Sequence, residues 1–174
     1  MKKKIIFLDR DGVINEEVNY LHKIEDFIFI EGIFQSLHYL KKFGYEFIIV
    51  TNQSGIGRGL YDEDDYHKLD LWMKNVFKKN NLHILFSIHC PHTPEDNCNC
   101  RKPKTGMFEH CFKKYSISKE ESWMIGDSKS DIEASQAAGV DNNILVRSGH
   151  PIPEGIKNIP VIDSIKEINQ IIKG

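Results

Sequence analysis

The sequence predicts an α/β fold on a parallel sheet. Three observations lead there. Short apolar runs recur at 5–8, 47–50, 84–89, 123–125 and 144–146. Segments with apolar residues at helical spacing lie between them. Each run gives way to polar or glycine-rich chain. Strands alternating with helices make parallel sheets, because a parallel neighbour needs a crossover long enough to hold a helix.

Ile5-Ile6-Phe7-Leu8 reads as a strand buried on both faces and ending at Asp9. Residues 33–43 carry Ile33, Phe34, Leu37, Leu40 and Phe43 at helical spacing, with Gly44 as the stop. Phe47-Ile48-Ile49-Val50 is the second strand and ends at Thr51. Residues 62–79 place Tyr66, Leu69, Met73, Val76 and Phe77 on one side of a helix. Asp62 is its N-cap, and the acidic residues 63–65 suit the positive end of the helix dipole. Residues 84–89 form a strand, 90–105 are irregular, and 106–115 form a short helix. Trp123-Met124-Ile125 is a strand running into Gly126-Asp127, and 131–138 is a helix stopped by Gly139. Ile144-Leu145-Val146 is a further strand, and 165–172 a final helix capped by Ser164.

A chain of 174 residues suits one domain, 1–174. With 40% hydrophobic and 28% charged residues it can bury a core, which excludes a disordered chain. Lys plus Arg number 23 against 25 Asp plus Glu, so a polybasic nucleic-acid or membrane-surface protein is excluded as the default. No apolar run approaches the roughly 20 residues that span a bilayer. No apolar signal core follows Met1-Lys2-Lys3-Lys4. The expectation is a cytoplasmic monomer with no nucleic-acid or membrane partner.

In open parallel sheets, ligands bind beyond the carboxyl ends of the strands. The chemistry-bearing residues fall there. Asp9-Arg10-Asp11-Gly12 follows the first strand, and alternation puts its two carboxylates on one side of extended chain. One can serve as nucleophile or metal ligand and the other can shuttle a proton. Taken alone, the same residues make a solvated acidic turn. After the second strand, Thr51-Asn52-Gln53-Ser54-Gly55-Ile56-Gly57 offers hydroxyl, amide and backbone N–H donors to phosphate oxygens. The plain alternative is a flexible βα loop. Asp127 ends a later strand and can complete a magnesium site with the first aspartates. Asp131 sits at a helix start, where capping is the competing role.

Cys90, His92, Cys98 and Cys100 have the spacing C-x-H-x5-C-x-C, four ligands suited to tetrahedral zinc. Four protein ligands close the coordination sphere, so the zinc is expected to be structural and to fold the loop 90–105. Cys111 lies on an apolar helical stripe with Met107 and Phe108 and reads as core. Arg101-Lys102 follows the last cysteine of the cluster and can neutralise a phosphate, or form a basic turn. The other histidines, His22 and His150 among them, read as surface or core residues.

Taken together, these residues resemble the haloacid dehalogenase-like phosphatase superfamily, whose order is D-x-D-G, then Thr or Ser, then Lys, then G-D-x3-D. The runs FLDRDGVIN, VTNQSGIGRG, the C-x-H…C-x-C-R-K-P loop and LVRSGHP are similar to the heptose 1,7-bisphosphate 7-phosphatase family, whose near relatives are histidinol-phosphate phosphatases. The resemblance implies a Rossmann-like parallel sheet with helices on both faces, no large cap domain and a zinc-binding loop insertion. It implies a cytoplasmic enzyme of heptose biosynthesis that removes the 7-phosphate of a sugar bisphosphate. Asp9 would be the nucleophile and Asp11 the acid and base. Thr51 and Lys102 would hold the transferring phosphoryl group. Mg2+ would be bound by Asp9, Asp11 through its backbone carbonyl, and Asp127, with Zn2+ in the cysteine loop. Asn52, Gln53, Ser54 and Arg101 would meet the rest of the substrate, and Glu17, Val18, Asn19 and Tyr20 the sugar. Ser128 departs from the family, which usually has Lys or Arg after Gly-Asp. It would stand at the substrate, with Lys129 as the nearest basic substitute. Histidinol-phosphate phosphatase is the alternative. A nucleic-acid 3′-phosphatase and a non-catalytic zinc module are weaker ones.

Overall fold

The structure is a computed structural model and describes residues 1–173. Its layering follows from alternation along β1 (Lys4–Leu8). Ile6 and Leu8 face one apolar cluster, Ile5 and Phe7 the other, and all four are fully buried. A strand buried on both faces is central, and β1 is. It pairs in parallel with β2 (Tyr45–Asn52) on one side and β4 (Trp123–Gly126) on the other. With β3 (Ile84–Cys90), β5 (Asn142–Val146) and β6 (Val161–Ile162), the order is β3-β2-β1-β4-β5-β6. The chain therefore reverses its direction of travel across the sheet between β1 and β4, the place where ligands bind such sheets.

One face is covered by α1 (Ile33–Lys42) and α3 (Glu63–Lys79), through Ile33, Leu37, Leu40, Leu69, Met73 and Phe77. The opposite face is covered by α4 (Gly106–Lys114) and α5 (Lys129–Ala137), through Met107, Phe108, Cys111 and Ala134. A single turn, α2 (Ser54–Gly57), follows β2. Asp62 caps α3 in a reciprocal box with Asp65, and Gly44 ends the α1 segment at φ 82°, a conformation open to glycine.

Three expectations change. The final helix is a 3-10 helix, Ile165–Gln170, and Ser164 makes no side-chain cap bond. Ile165, Ile168 and Ile171 recur every third residue, which matches the 3-10 period rather than 3.6. α5 begins at Lys129 because Ser128 takes the N-cap, with its backbone N–H bonded to Asp131. The two-residue β6 is too short to carry a pattern.

No inserted domain lies between Asp11 and Thr51. That stretch holds a loop, one 3-10 turn, α1 and most of β2. The loop is anchored at its far end by aromatic packing: Phe27 lies 5.3 Å from Trp72, and Phe29 lies 5.0 Å from Phe34 and 5.7 Å from Phe77. Each such pair contributes about 0.5–1.5 kcal/mol beyond its burial. No helix among the described residues is long and apolar enough to cross a membrane.

Candidate active site

The strand ends converge on a cleft of about 360 Å³ above β1 and β4. Asp9, one residue past β1, Lys102 and Asp127 line it. Carboxylate oxygens of Asp9, Asp127 and Asp131 lie within 4.8 Å of one another. Buried Lys102 reaches into this group. Its Nζ lies 3.2 Å from Asp9 Oδ1 and 2.5 Å from Asp131 Oδ1, and it also donates to the Val50 carbonyl at 2.7 Å. Burial alone would lower the Lys102 ammonium, but Asp131 and Asp9 outweigh it and hold its pKa above the ordinary value. Burial pushes the Asp9 carboxyl well above the usual range, with Lys102 opposing.

Asp131 has its oxygens engaged. Besides Lys102, it accepts from the backbone N–H groups of Asp127 and Ser128 and from the Ser128 hydroxyl. Those bonds fix the turn that presents Asp127, so capping and site construction are one role. Asp11 turns the other way. Its carboxylate accepts from Asn15 Nδ2 at 2.9 Å, Arg10 Nη2 at 3.1 Å and Gln53 Nε2 at 3.1 Å. Arg10, only 1% exposed, also donates to the Leu21 carbonyl, tying the entrance loop to the same cluster. Sequence reasoning assigned Arg10 nothing, since a basic residue between two acids reads locally as charge balance.

Glu17, Val18, Asn19 and Tyr20 form one wall. Asn52, Gln53, Ser54, Arg101 and Ser128 line the same cleft. Thr51, expected to hold the phosphoryl group, is not among the described residues that line the cleft: it is 1% exposed and its hydroxyl accepts from Gln53 Nε2. The suggestion that Lys129 replaces a basic residue at 128 is corrected: its side chain is 61% exposed and pairs with Glu133 at 3.4 Å along α5. A helix turn carries residue 129 away from the face that residue 128 presents. Leu21, Tyr61, Ser130 and His150 also line the cleft, with no role assigned to them from the sequence. Tyr61 bonds Gln53 Oε1 and stacks on His22 at 4.9 Å. Ser130 bonds Ser128. His150 bonds Asp127. None is flagged by local spacing. Burial, with Asp11 adding, lifts the Glu17 carboxyl to about 7.

The cysteine loop begins at the last residue of β3. Sγ atoms of Cys90, Cys98 and Cys100 lie 3.0–3.5 Å apart. His92 Nδ1 lies 3.5 Å from Cys90 Sγ and 3.3 Å from Cys100 Sγ. A zinc tetrahedron with bonds near 2.3 Å has edges of about 3.8 Å, so the donor set is compatible with zinc. Burial opposes ionisation of Cys98, yet the Arg101 N–H and the neighbouring thiols bring it down to about 6. A thiolate is the ligand form. Cys111 is fully buried in the α4 core, as expected.

A HAD-hydrolase-like family model matches residues 99–168. A D-glycero-alpha-D-manno-heptose-1,7-bisphosphate 7-phosphatase of Photorhabdus laumondii is 45% identical, covering 99% of this chain and 98% of that protein. The chain belongs to this family of HAD-like phosphatases. Another family member, the D-glycero-beta-D-manno-heptose-1,7-bisphosphate 7-phosphatase of Haemophilus influenzae, is 41% identical over 98% of this chain and 97% of its own. The heptose-bisphosphate phosphatase of B. bronchiseptica, solved with magnesium and phosphate, superposes with a TM-score of 0.83. It is 29% identical, with 96% of each chain covered. The six-stranded sheet is thus the Rossmann-like sheet of the HAD-like fold.

Proposed function

We propose that the chain is a phosphatase that removes the 7-phosphate of D-glycero-D-manno-heptose 1,7-bisphosphate, in heptose biosynthesis for surface polysaccharide. The observation that carries the chemistry is the placing of Asp9 beside buried Lys102 at the bottom of an open cleft, with Asp11 held apart from both. The near full-length likeness to the family carries the substrate.

Asp9 Oδ attacks phosphorus in line, the bond to the C7 oxygen breaks, and an aspartyl-phosphate forms. Asp11, in its protonated form, gives the proton to the departing oxygen. As a carboxylate it then takes one from the water that hydrolyses the acyl phosphate. Arg10, Asn15 and Gln53 hold Asp11 in place for both steps. Lys102 balances charge on the phosphoryl oxygens, and Thr51 steadies Gln53 from below. Glu17, Val18, Asn19 and Tyr20 face the sugar, Asn52, Gln53, Ser54 and Arg101 the remaining phosphate, and Ser128 the edge near Asp127.

An all-oxygen donor set in a pocket of this charge suits magnesium. Asp9, Asp127 and the Asp11 carbonyl would hold it, since Asp131 is already engaged by Lys102. Bound there, magnesium would offset the repulsion between carboxylate and phosphate, roughly 4 kcal/mol at 4 Å for unit charges at an effective dielectric of 20. Cys90, His92, Cys98 and Cys100 would hold a structural zinc.

The test is a substrate panel. Both anomers of heptose 1,7-bisphosphate should turn over far faster than histidinol phosphate, with activity lost to EDTA and restored by added magnesium. Faster hydrolysis of histidinol phosphate overturns the substrate assignment.

A further inference from the structure

The run LVRSGHP contains three residues that the chemistry above leaves unused, Ser148, Gly149 and His150, and the structure folds them against the rim of the cleft, which His150 lines. Ser148 Oγ donates to the Gly12 carbonyl at 2.7 Å. The His150 backbone N–H donates to Asp127 Oδ2 at 2.9 Å, and His150 Nδ1 donates to the same oxygen at 2.7 Å. Between them, Gly149 lies so close that an added Cβ would sit 2.0 Å from Asp127 Oδ2. From the other side, a Cβ at Gly12 would lie 2.5 Å from that oxygen and 2.7 Å from Gly149 Cα. Asp127 Oδ2 is thus enclosed by two glycines and bound twice by one residue, and no hydrogen bond from the described residues reaches Oδ1.

Gly12 belongs to the loop after β1, and Asp127 to the loop after β4. Those two loops carry the residues assigned above to magnesium, and 148–150 bonds to both. We propose that Ser148-Gly149-His150 is a clasp that sets the spacing of the two halves of the magnesium site, with His150 the positioning residue that aims the Asp127 carboxylate. This rests on the magnesium assignment made above and adds a residue whose Nδ1 is already spent on Asp127 Oδ2. Partners that orient a ligating carboxylate typically govern metal affinity by about 10–100-fold. A carboxylate with one oxygen tied and the other free has little orientation left to lose when a cation arrives.

The test measures ion binding directly, by Mn2+ paramagnetic resonance and by magnesium calorimetry on the zinc-loaded protein. His150→Ala keeps the backbone bond and loses the side-chain bond. Its dissociation constant should rise about tenfold. His150→Asn places an amide nitrogen where Nδ1 stood and should recover to near wild type. Gly149→Ala should weaken binding more than either, because its Cβ displaces the carboxylate. The His150 side chain is 60% exposed and the backbone bond to Asp127 remains, so the melting temperature of His150→Ala should fall much less than that of Gly149→Ala. Unchanged ion affinity in His150→Ala, or equal losses in His150→Ala and His150→Asn, overturns the clasp. If the wild type fails on heptose bisphosphate while His150→Ala still weakens Mn2+ binding, the substrate reading falls and the clasp stands.

Discussion

Replacing Lys102 with Met tests the centre of the site. Lys102 and Asp131 are 3% and 0% exposed, and the ammonium lies 2.5 Å from Asp131 and 3.2 Å from Asp9. At an effective dielectric near 20 those contacts amount to roughly 5–7 kcal/mol each before desolvation, which consumes most of it. Met preserves the volume but leaves two carboxylates sharing a buried space with no cation. Breaking a buried pair in this way costs about 3–5 kcal/mol, or about 6–20 °C in melting temperature for a chain of this size. The deficit should depend on pH in a definite direction. Burial already raises Asp9, and loss of Lys102 raises it further. Between the ordinary carboxylate value and that raised one, the folded chain binds more protons than the unfolded chain, so stability increases as pH falls. Urea unfolding at pH 7 and pH 5 in magnesium-free buffer should show a large loss at pH 7 and a smaller one at pH 5. A loss below about 1 kcal/mol at pH 7, the scale of a solvated surface pair, would refute the reasoning, as would a deficit that grows on acidification.

Asp9→Asn should keep the circular dichroism of the fold and lower turnover by about 10⁴-fold or more, and turnover near wild type would remove Asp9 as nucleophile. Cys98→Ser should reduce bound zinc from one equivalent to a trace and lower the unfolding midpoint, as metal analysis and melting would show. Full zinc with unchanged stability would refute a structural zinc there. Glu17→Gln addresses a carboxyl that burial lifts to about 7. The folded chain holds this proton through a window where the unfolded one has lost it, so wild-type stability falls as pH rises from about 4.5 to 7. The variant should lose that part of the slope in magnesium-free buffer, and an identical slope would contradict the shift.

Much of this was legible in the chain because it depends on neighbours in sequence. β1 is visible as four apolar residues, α3 as a stripe with Asp62 in front, and the cysteine loop as a spacing. Each requirement is local: a pleat, a helical period, a reach of a few residues. Thr51 shows the limit. Its place after a strand is readable, but its seat below Gln53 depends on where Gln53 packs. Lys129 shows it again, since charge in the right neighbourhood said nothing of the side of α5 it would occupy.

Composition, periodicity and motif spacing determined the alternation of strands and helices, the residues at each strand's end, and the four donors of the cysteine loop. Only the tertiary structure decided that Lys102 bridges Asp9 and Asp131, that Arg10 and Gln53 hold Asp11, and that Ser148 and His150 close over Gly12 and Asp127. The reason is the strand order. Placing β4 beside β1 brings together residues more than a hundred positions apart, and no local pattern carries that distance.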